Sequence, residues 1–117
     1  MQPEDRDAAY LWDMLQAAKE VEEMAKGRDL PAFLNDLILL RALERSIEII
    51  GEAARRVSST YRDAHPDIPW RKIIGQRNIL AHEYGQIDHG LLYKTAVNDI
   101  PELIVLIERF LPPLDEV

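Results

Sequence analysis

Apolar residues recur every three or four positions along nearly the whole chain, and no stretch shows the alternation of a strand. That period belongs to helices with one buried face. From Asp5 to about Lys26 the apolar positions are Leu11, Met14, Leu15, Ala18 and Val21, with Gly27 placed as a C-cap. Pro31 suits the first turn of a second and longest helix, striped by Leu34, Leu37, Leu40, Ala42 or Leu43, Ile47, Ile50, Ala54 and Val57. A stripe of that length can pack along a partner for its whole extent. Ser58 to Asp67 reads as a connector with a turn or short helix. A third helix starts at Asp67-Ile68-Pro69-Trp70, with Asp67 or Ile68 near the cap and Pro69 in the first turn, and Gly85 is a ready stop. The last helix spans about Ile87 to Phe110. Pro101 removes one of its hydrogen bonds, which predicts a kink or break near Asn98–Ile100, and Pro112-Pro113 ends it. The expected fold is all-α, an up-and-down bundle of four to five helices in a single domain over residues 1–117.

Composition narrows the function classes. An apolar share of 47% is enough for a core without staples, and the absence of cysteine excludes disulfides, thiolate metal sites and cysteine nucleophiles. The start, Met1-Gln2-Pro3-Glu4-Asp5-Arg6-Asp7, is charged where a signal peptide needs an apolar run, and Leu37-Ile38-Leu39-Leu40 is far too short to span a bilayer. A cytoplasmic protein with no membrane partner is expected. A net charge of −7 argues against a general nucleic-acid coating protein, yet it leaves room for local phosphate binding and suits a basic protein partner.

The densest chemistry lies in Arg77-Asn78-Ile79-Leu80-Ala81-His82-Glu83-Tyr84. Arginine grips phosphate through a planar fork, and histidine can take or give a proton near neutral pH. Those two side chains are the minimum equipment for cutting RNA without a metal. On a helix Arg77 and Tyr84 fall within roughly 20° of each other and Asn78 and His82 within about 40°, while Arg77 and His82 differ by roughly 140°. Convergence of Arg77 and His82 needs either an unwound helix end near Gly85 or two copies of the helix meeting across a two-fold axis. Chemistry favours the second. Transesterification needs a base for the 2′-hydroxyl, an acid for the leaving 5′-oxygen and positive charge on the phosphorane, and an isologous dimer supplies two histidines and two arginines. The same spacing also fits a surface arginine, a histidine bonded to the last helix carbonyls and a tyrosine used for packing.

This motif matches the Arg-x4-His-x-Tyr signature of the HEPN superfamily, and the chain resembles its HepT-like toxins over nearly its whole length. Arg45-Ser46-Ile47-Glu48-Ile49-Ile50-Gly51-Glu52-Ala53-Ala54-Arg55-Arg56 and His65-Pro66-Asp67-Ile68-Pro69-Trp70-Arg71-Lys72-Ile73-Ile74-Gly75 resemble the family as well. The resemblance implies a HEPN-like bundle and a homodimeric, metal-independent ribonuclease that needs no cofactor. It further implies the toxin half of a toxin–antitoxin pair whose partner is a minimal, MntA-like nucleotidyltransferase. By that resemblance Arg77 and His82 are catalytic, Asn78 lines the same cleft, and Tyr84 is the acceptor that the partner AMPylates. An adenylyl phosphate beside Arg77 would compete with RNA for the same positive charge. A non-catalytic subunit that presents a substrate or nucleotide to the nucleotidyltransferase is the competing expectation.

Other side chains carry groups capable of chemistry. His65 and His89 sit beside turns and match no ligand spacing with His82, which predicts solvent exposure and no metal. Asp5, Asp7 and Asp13 are candidate catalytic carboxylates, but charge complementing the macrodipole of the first helix explains Asp5 and Asp7 more simply. Arg55, Arg56, Arg62, Arg71 and Lys72 form a candidate basic rim, which Glu48 and Glu52 could instead neutralise. Trp70 reads as an anchor of the third helix on the second rather than a base-stacking platform.

Overall fold

The computed structural model of the chain describes residues 3–75 and 89–111. Helix α1 spans Pro3–Ala25, α2 Leu30–Leu34, α3 Leu37–Arg56 and α4 Ser59–Ala64. Residues 70–75 are helical (α5). After the undescribed stretch come α6 (His89–Lys94), a π-helical turn (Thr95–Asp99) and α7 (Ile100–Phe110). The architecture is the all-α bundle expected from the periodicity.

Capping residues punctuate the chain. Gly27 closes α1 at φ 71°, the left-handed region that only glycine enters cheaply. The long helix expected from Pro31 is in fact two. Asp29 caps α2 by accepting from the Ala32 N–H at 3.0 Å, and Asn35 ends it by donating from Nδ2 to the Pro31 carbonyl at 2.9 Å. Asp36 then opens α3, its Oδ1 accepting from the Leu39 N–H at 3.0 Å. An Asn-Asp pair offers the backbone side-chain partners that compete with helical ones, so the helix restarts there. The break re-aims the stripe. Leu40, Leu43, Ile47, Ile50, Ala54 and Val57 are buried as expected, but Leu34 and Leu37 are 49% and 63% exposed.

α3 packs along α1 over most of its length. The two run antiparallel, since Asp7 near the start of α1 meets Ser58 just past the end of α3. Met14, Val21, Leu43 and Ala54 are fully enclosed between them, and Ile107 of α7 completes the same core. α7 lies against α1, where Lys19 Nζ pairs with Glu108 Oε2 at 3.4 Å.

Pro101 acts as expected, with more detail than a kink. It lacks the N–H that would bond the Val97 carbonyl. The Ile100 N–H reaches back to the Thr95 carbonyl, five residues away, which widens Thr95–Asp99 into a π turn and lets α7 start with proline in its first turn. Phe110 is the last helical residue, and the Leu111 N–H bonds the Ile107 carbonyl at 3.0 Å. Pro112 and Pro113 lie outside the described residues. Among the described residues no helix is long and apolar enough to cross a membrane.

Candidate functional site

Two anchored helix ends bracket residues 76–88, and Arg77, Asn78, His82 and Tyr84 all lie in that stretch, outside the described residues. On the near side, α5 begins one residue after Pro69, whose carbonyl accepts from the Ile73 N–H at 3.1 Å. Pro69 therefore precedes the first turn rather than sitting within it. Trp70 is buried, and its Nε1–H donates to the His65 carbonyl at 3.0 Å. Its ring meets Tyr61 edge-on with centroids 6.3 Å apart. Trp70 thus acts as an anchor, as expected, and its hydrogen bond and ring contact hold α5 to α4 and the connector. Lys72 Nζ pairs with Asp99 Oδ2 at 3.1 Å, so the π turn imposed by Pro101 supplies the carboxylate that fixes the α5 side.

On the far side, α6 starts at His89. Leu92 is buried, the Tyr93 hydroxyl donates to the Arg28 carbonyl at 3.0 Å, and the Tyr93 ring meets Phe33 edge-on at 5.0 Å. His89 Nε2 lies 3.7 Å from Glu44 Oε1, an ion pair whenever the imidazole is protonated. Glu44 is itself buried and accepts from Arg41 Nη1 at 3.1 and 3.3 Å. Sequence reasoning missed Glu44. The available signal was its place four residues after Leu40 and three before Ile47, on the apolar face of α3, where a carboxylate needs a partner.

Neither described histidine is left to solvent as expected. His65 stacks on Tyr61 at 3.9 Å, meets Phe110 edge-on at 4.6 Å, and bonds the Tyr61 carbonyl through Nδ1 at 3.0 Å. His89 is held toward Glu44. They serve different ends of the bundle.

Asp7 also departs from its expected role. It is only 7% exposed, and both oxygens are used on Ser58, accepting from the backbone N–H at 2.8 Å and from Oγ–H at 2.7 Å. Ser58 Oγ in turn accepts from the Tyr61 N–H at 3.1 Å as the N-cap of α4. One carboxylate therefore joins α1 to the α3–α4 corner, and a macrodipole charge would have stayed in water. Burial, and then the Asp7 carboxylate, hold the Tyr61 phenol above its ordinary value near 10. The folded state favours the neutral phenol. Its contribution is intact below about pH 10 and is lost as pH rises through the raised value. Tyr61→Phe keeps the stack on His65 and is expected to flatten the alkaline fall in stability, read as urea midpoints from neutral to alkaline pH.

The basic rim divides. Glu52 pairs with Arg55 at 2.8 Å and Arg56 at 3.1 Å, and Glu48 pairs with Arg45 at 3.3 Å. Glu52 first, and then Tyr10, hold the Arg56 guanidinium above its ordinary value. Lys72 is engaged with Asp99. Among the described residues no carboxylate pairs with Arg62 or Arg71.

Comparison with known proteins extends this picture to the undescribed stretch. The family described as Ribonuclease HepT-like matches residues 14–110. A protein of Methanocaldococcus jannaschii named as a candidate RNase is 40% identical over 95 residues, covering 81% of this chain and 87% of its own. A second candidate RNase, from Caldanaerobacter subterraneus, is 38% identical over 80% of this chain and 84% of its own. A Thermococcus cleftensis protein named Probable ribonuclease HepT is 37% identical over 80% of this chain and 86% of its own. No solved structure gives a significant match.

Proposed function

Since the chain belongs to the HepT-like ribonuclease family, we propose that it is the toxin of a type VII-like toxin–antitoxin pair, cutting RNA without a metal at a cleft shared by two copies. The observation that carries this reading is the Arg77–Tyr84 motif, lying inside the matched residues 14–110. His82 of one copy takes the proton of a ribose 2′-hydroxyl, and the 2′-oxygen forms a bond to phosphorus. As the phosphorus–5′-oxygen bond breaks, the protonated His82 of the other copy gives that oxygen a proton. Arg77 holds the phosphorane oxygens, which carry the most charge midway. Asn78 orients the phosphate or the imidazole. The products are a 2′,3′-cyclic phosphate and a 5′-hydroxyl.

Two physical points favour pairing. One chain offers a single histidine in the motif, whereas the reaction needs an acid and a base. The corner of α2 and α3, on which α6 packs, also leaves apolar side chains in water: Ile38 is 83% exposed, and Leu34, Leu37 and Leu91 are exposed with it. Exposed leucine and isoleucine side chains on one corner are what a self-complementary interface buries.

Control falls to Tyr84 in this reading. A cytoplasmic MntA-like nucleotidyltransferase joins the Tyr84 oxygen to the α-phosphorus of ATP as the α–β phosphoanhydride bond breaks and pyrophosphate leaves, and the new phosphate occupies Arg77. Intact-mass measurement after expression with and without an MntA-like nucleotidyltransferase tests this control. A gain of one or more adenylyl units, absent in Tyr84→Phe, is expected. An unmodified mass in both preparations overturns the AMPylation step and favours the alternative, a non-catalytic subunit that presents substrate or nucleotide to the transferase.

A further inference from the structure

We infer that the shallow groove between α4 and α5 binds the RNA backbone beside the cleavage site, with Arg62 and Arg71 as its phosphate ligands. The inference rests on the ribonuclease reading and adds a subsite to it. The groove encloses about 1110 Å³ and is bordered by Arg62, Asp63, Pro66, Arg71, Lys72 and Gly75, among others. Its walls hold three basic side chains and one acidic one, in a chain whose net charge is −7. Lys72 is partly neutralised by Asp99, which leaves the two arginines as the charges available to a ligand.

Arg62 is the sharper indicator. Its Nε is enclosed and has no hydrogen-bond partner among the described residues. A buried N–H of a charged group left unsatisfied is costly, and native structures tolerate it mainly where a ligand or water completes the site. Arginine forks match the geometry of phosphate oxygens, and phosphodiester contacts supply most of the affinity of nucleic-acid binding. Trp70, buried at the side of the groove, offers no exposed face for base stacking, so backbone contact is what remains.

Position joins the groove to the chemistry. Gly75 at its rim is two residues before Arg77, so the two Cα atoms are no more than about 7 Å apart whatever the conformation between them. A strand held at Arg77 therefore passes within reach of the groove. The groove between α1 and α3 has the opposite balance: Asp13, Glu20, Glu48 and Glu52 line it against Arg45 and Arg56, which are themselves paired with Glu48 and Glu52. These contacts carry no base information, so they raise affinity without setting sequence preference.

Anisotropy of a labelled single-stranded RNA titrated with the full-length His82→Ala chain, repeated across a salt series, tests the groove. Arg62→Gln and Arg71→Gln are each expected to weaken binding about tenfold and to reduce the slope of log affinity against log salt by about 0.7. Arg55→Gln, outside the groove and paired with Glu52, should leave both unchanged. Arg71→Glu, at an exposed position, covers the case in which Arg62→Gln impairs folding. Unchanged affinity and slope in Arg71→Glu and in the double variant overturn the inference. Without the His82 change, a raised KM at unchanged kcat is expected for the groove variants. Binding with the expected slopes but no cleavage would sink the ribonuclease reading and leave the groove. Cleavage whose KM ignores both arginines would do the reverse.

Discussion

Alanine in place of His82 or of Arg77 is expected to abolish RNA cleavage by the purified chain, a fall of at least about a hundredfold for either change. A positioned acid or base contributes roughly 10²–10⁴ in rate, and one preorganised donor to developing charge contributes about 10²–10³. In a two-fold cleft each substitution strikes twice, removing both proton-transfer groups or both cations, so residual activity should sit near background. The assay is cleavage of labelled RNA in EDTA, with product ends identified as 2′,3′-cyclic phosphate. Wild-type cleavage should persist in the chelator. Far-UV circular dichroism of both variants should be unchanged, since the helices on either side of the motif are anchored by contacts that involve neither residue: Trp70 and Lys72 on α5, Tyr93 and His89 on α6. Cleavage retained in a clean His82→Ala preparation sinks the mechanism, and toxicity retained in Arg77→Ala removes its main chemical support.

Asp7→Ala should be strongly destabilising for a polar change away from the motif, lowering stability by about 2–4 kcal/mol and the thermal midpoint by roughly 10–20 °C. The carboxylate accepts two short hydrogen bonds from Ser58, at 2.8 and 2.7 Å, and Ser58 in turn caps α4. Removing it strands a partly buried N–H and hydroxyl at once and loosens the corner on which Tyr61, His65 and Trp70 are stacked. The graded comparison is Asp7→Asn, which can still accept from the N–H and donate to Oγ, and should cost less than half as much. A charge acting only on the helix macrodipole would be worth about 0.3–1 kcal/mol, and its loss would be equal in the two variants. Equal, small shifts in calorimetric midpoints would therefore show that the Asp7–Ser58 link contributes little.

Much of the fold was legible because its determinants are local. A period of 3.6 follows from backbone geometry alone, and glycine at positive φ or proline without an N–H acts on its immediate neighbours. Gly27 and Pro101 were readable for that reason. So was the absence of strands among the described residues. The split at Asn35-Asp36 was equally local and went unread, because a continuous apolar stripe outweighed two capping side chains in sequence view. The candidate site was legible as a motif and not as a geometry. Arg77, Asn78, His82 and Tyr84 share a segment whose spacing resembles the HEPN signature, but on one straight helix Arg77 and His82 would point apart.

By itself, then, the order of residues determined an all-α chain of this family, a motif with the residue types proposed to cut RNA, and the position of the kink. The tertiary structure decided the partners. That Asp7 answers Ser58 across 51 positions, that Glu44 faces His89, and that Lys72 takes Asp99 from the π turn are long-range pairings. No local propensity encodes them, because a charge's role depends on which groups the packed core brings within a few ångströms of it and how much water it excludes. The same packing satisfied Arg55 and Arg56 on Glu52 and left Arg62 and Arg71 facing a groove.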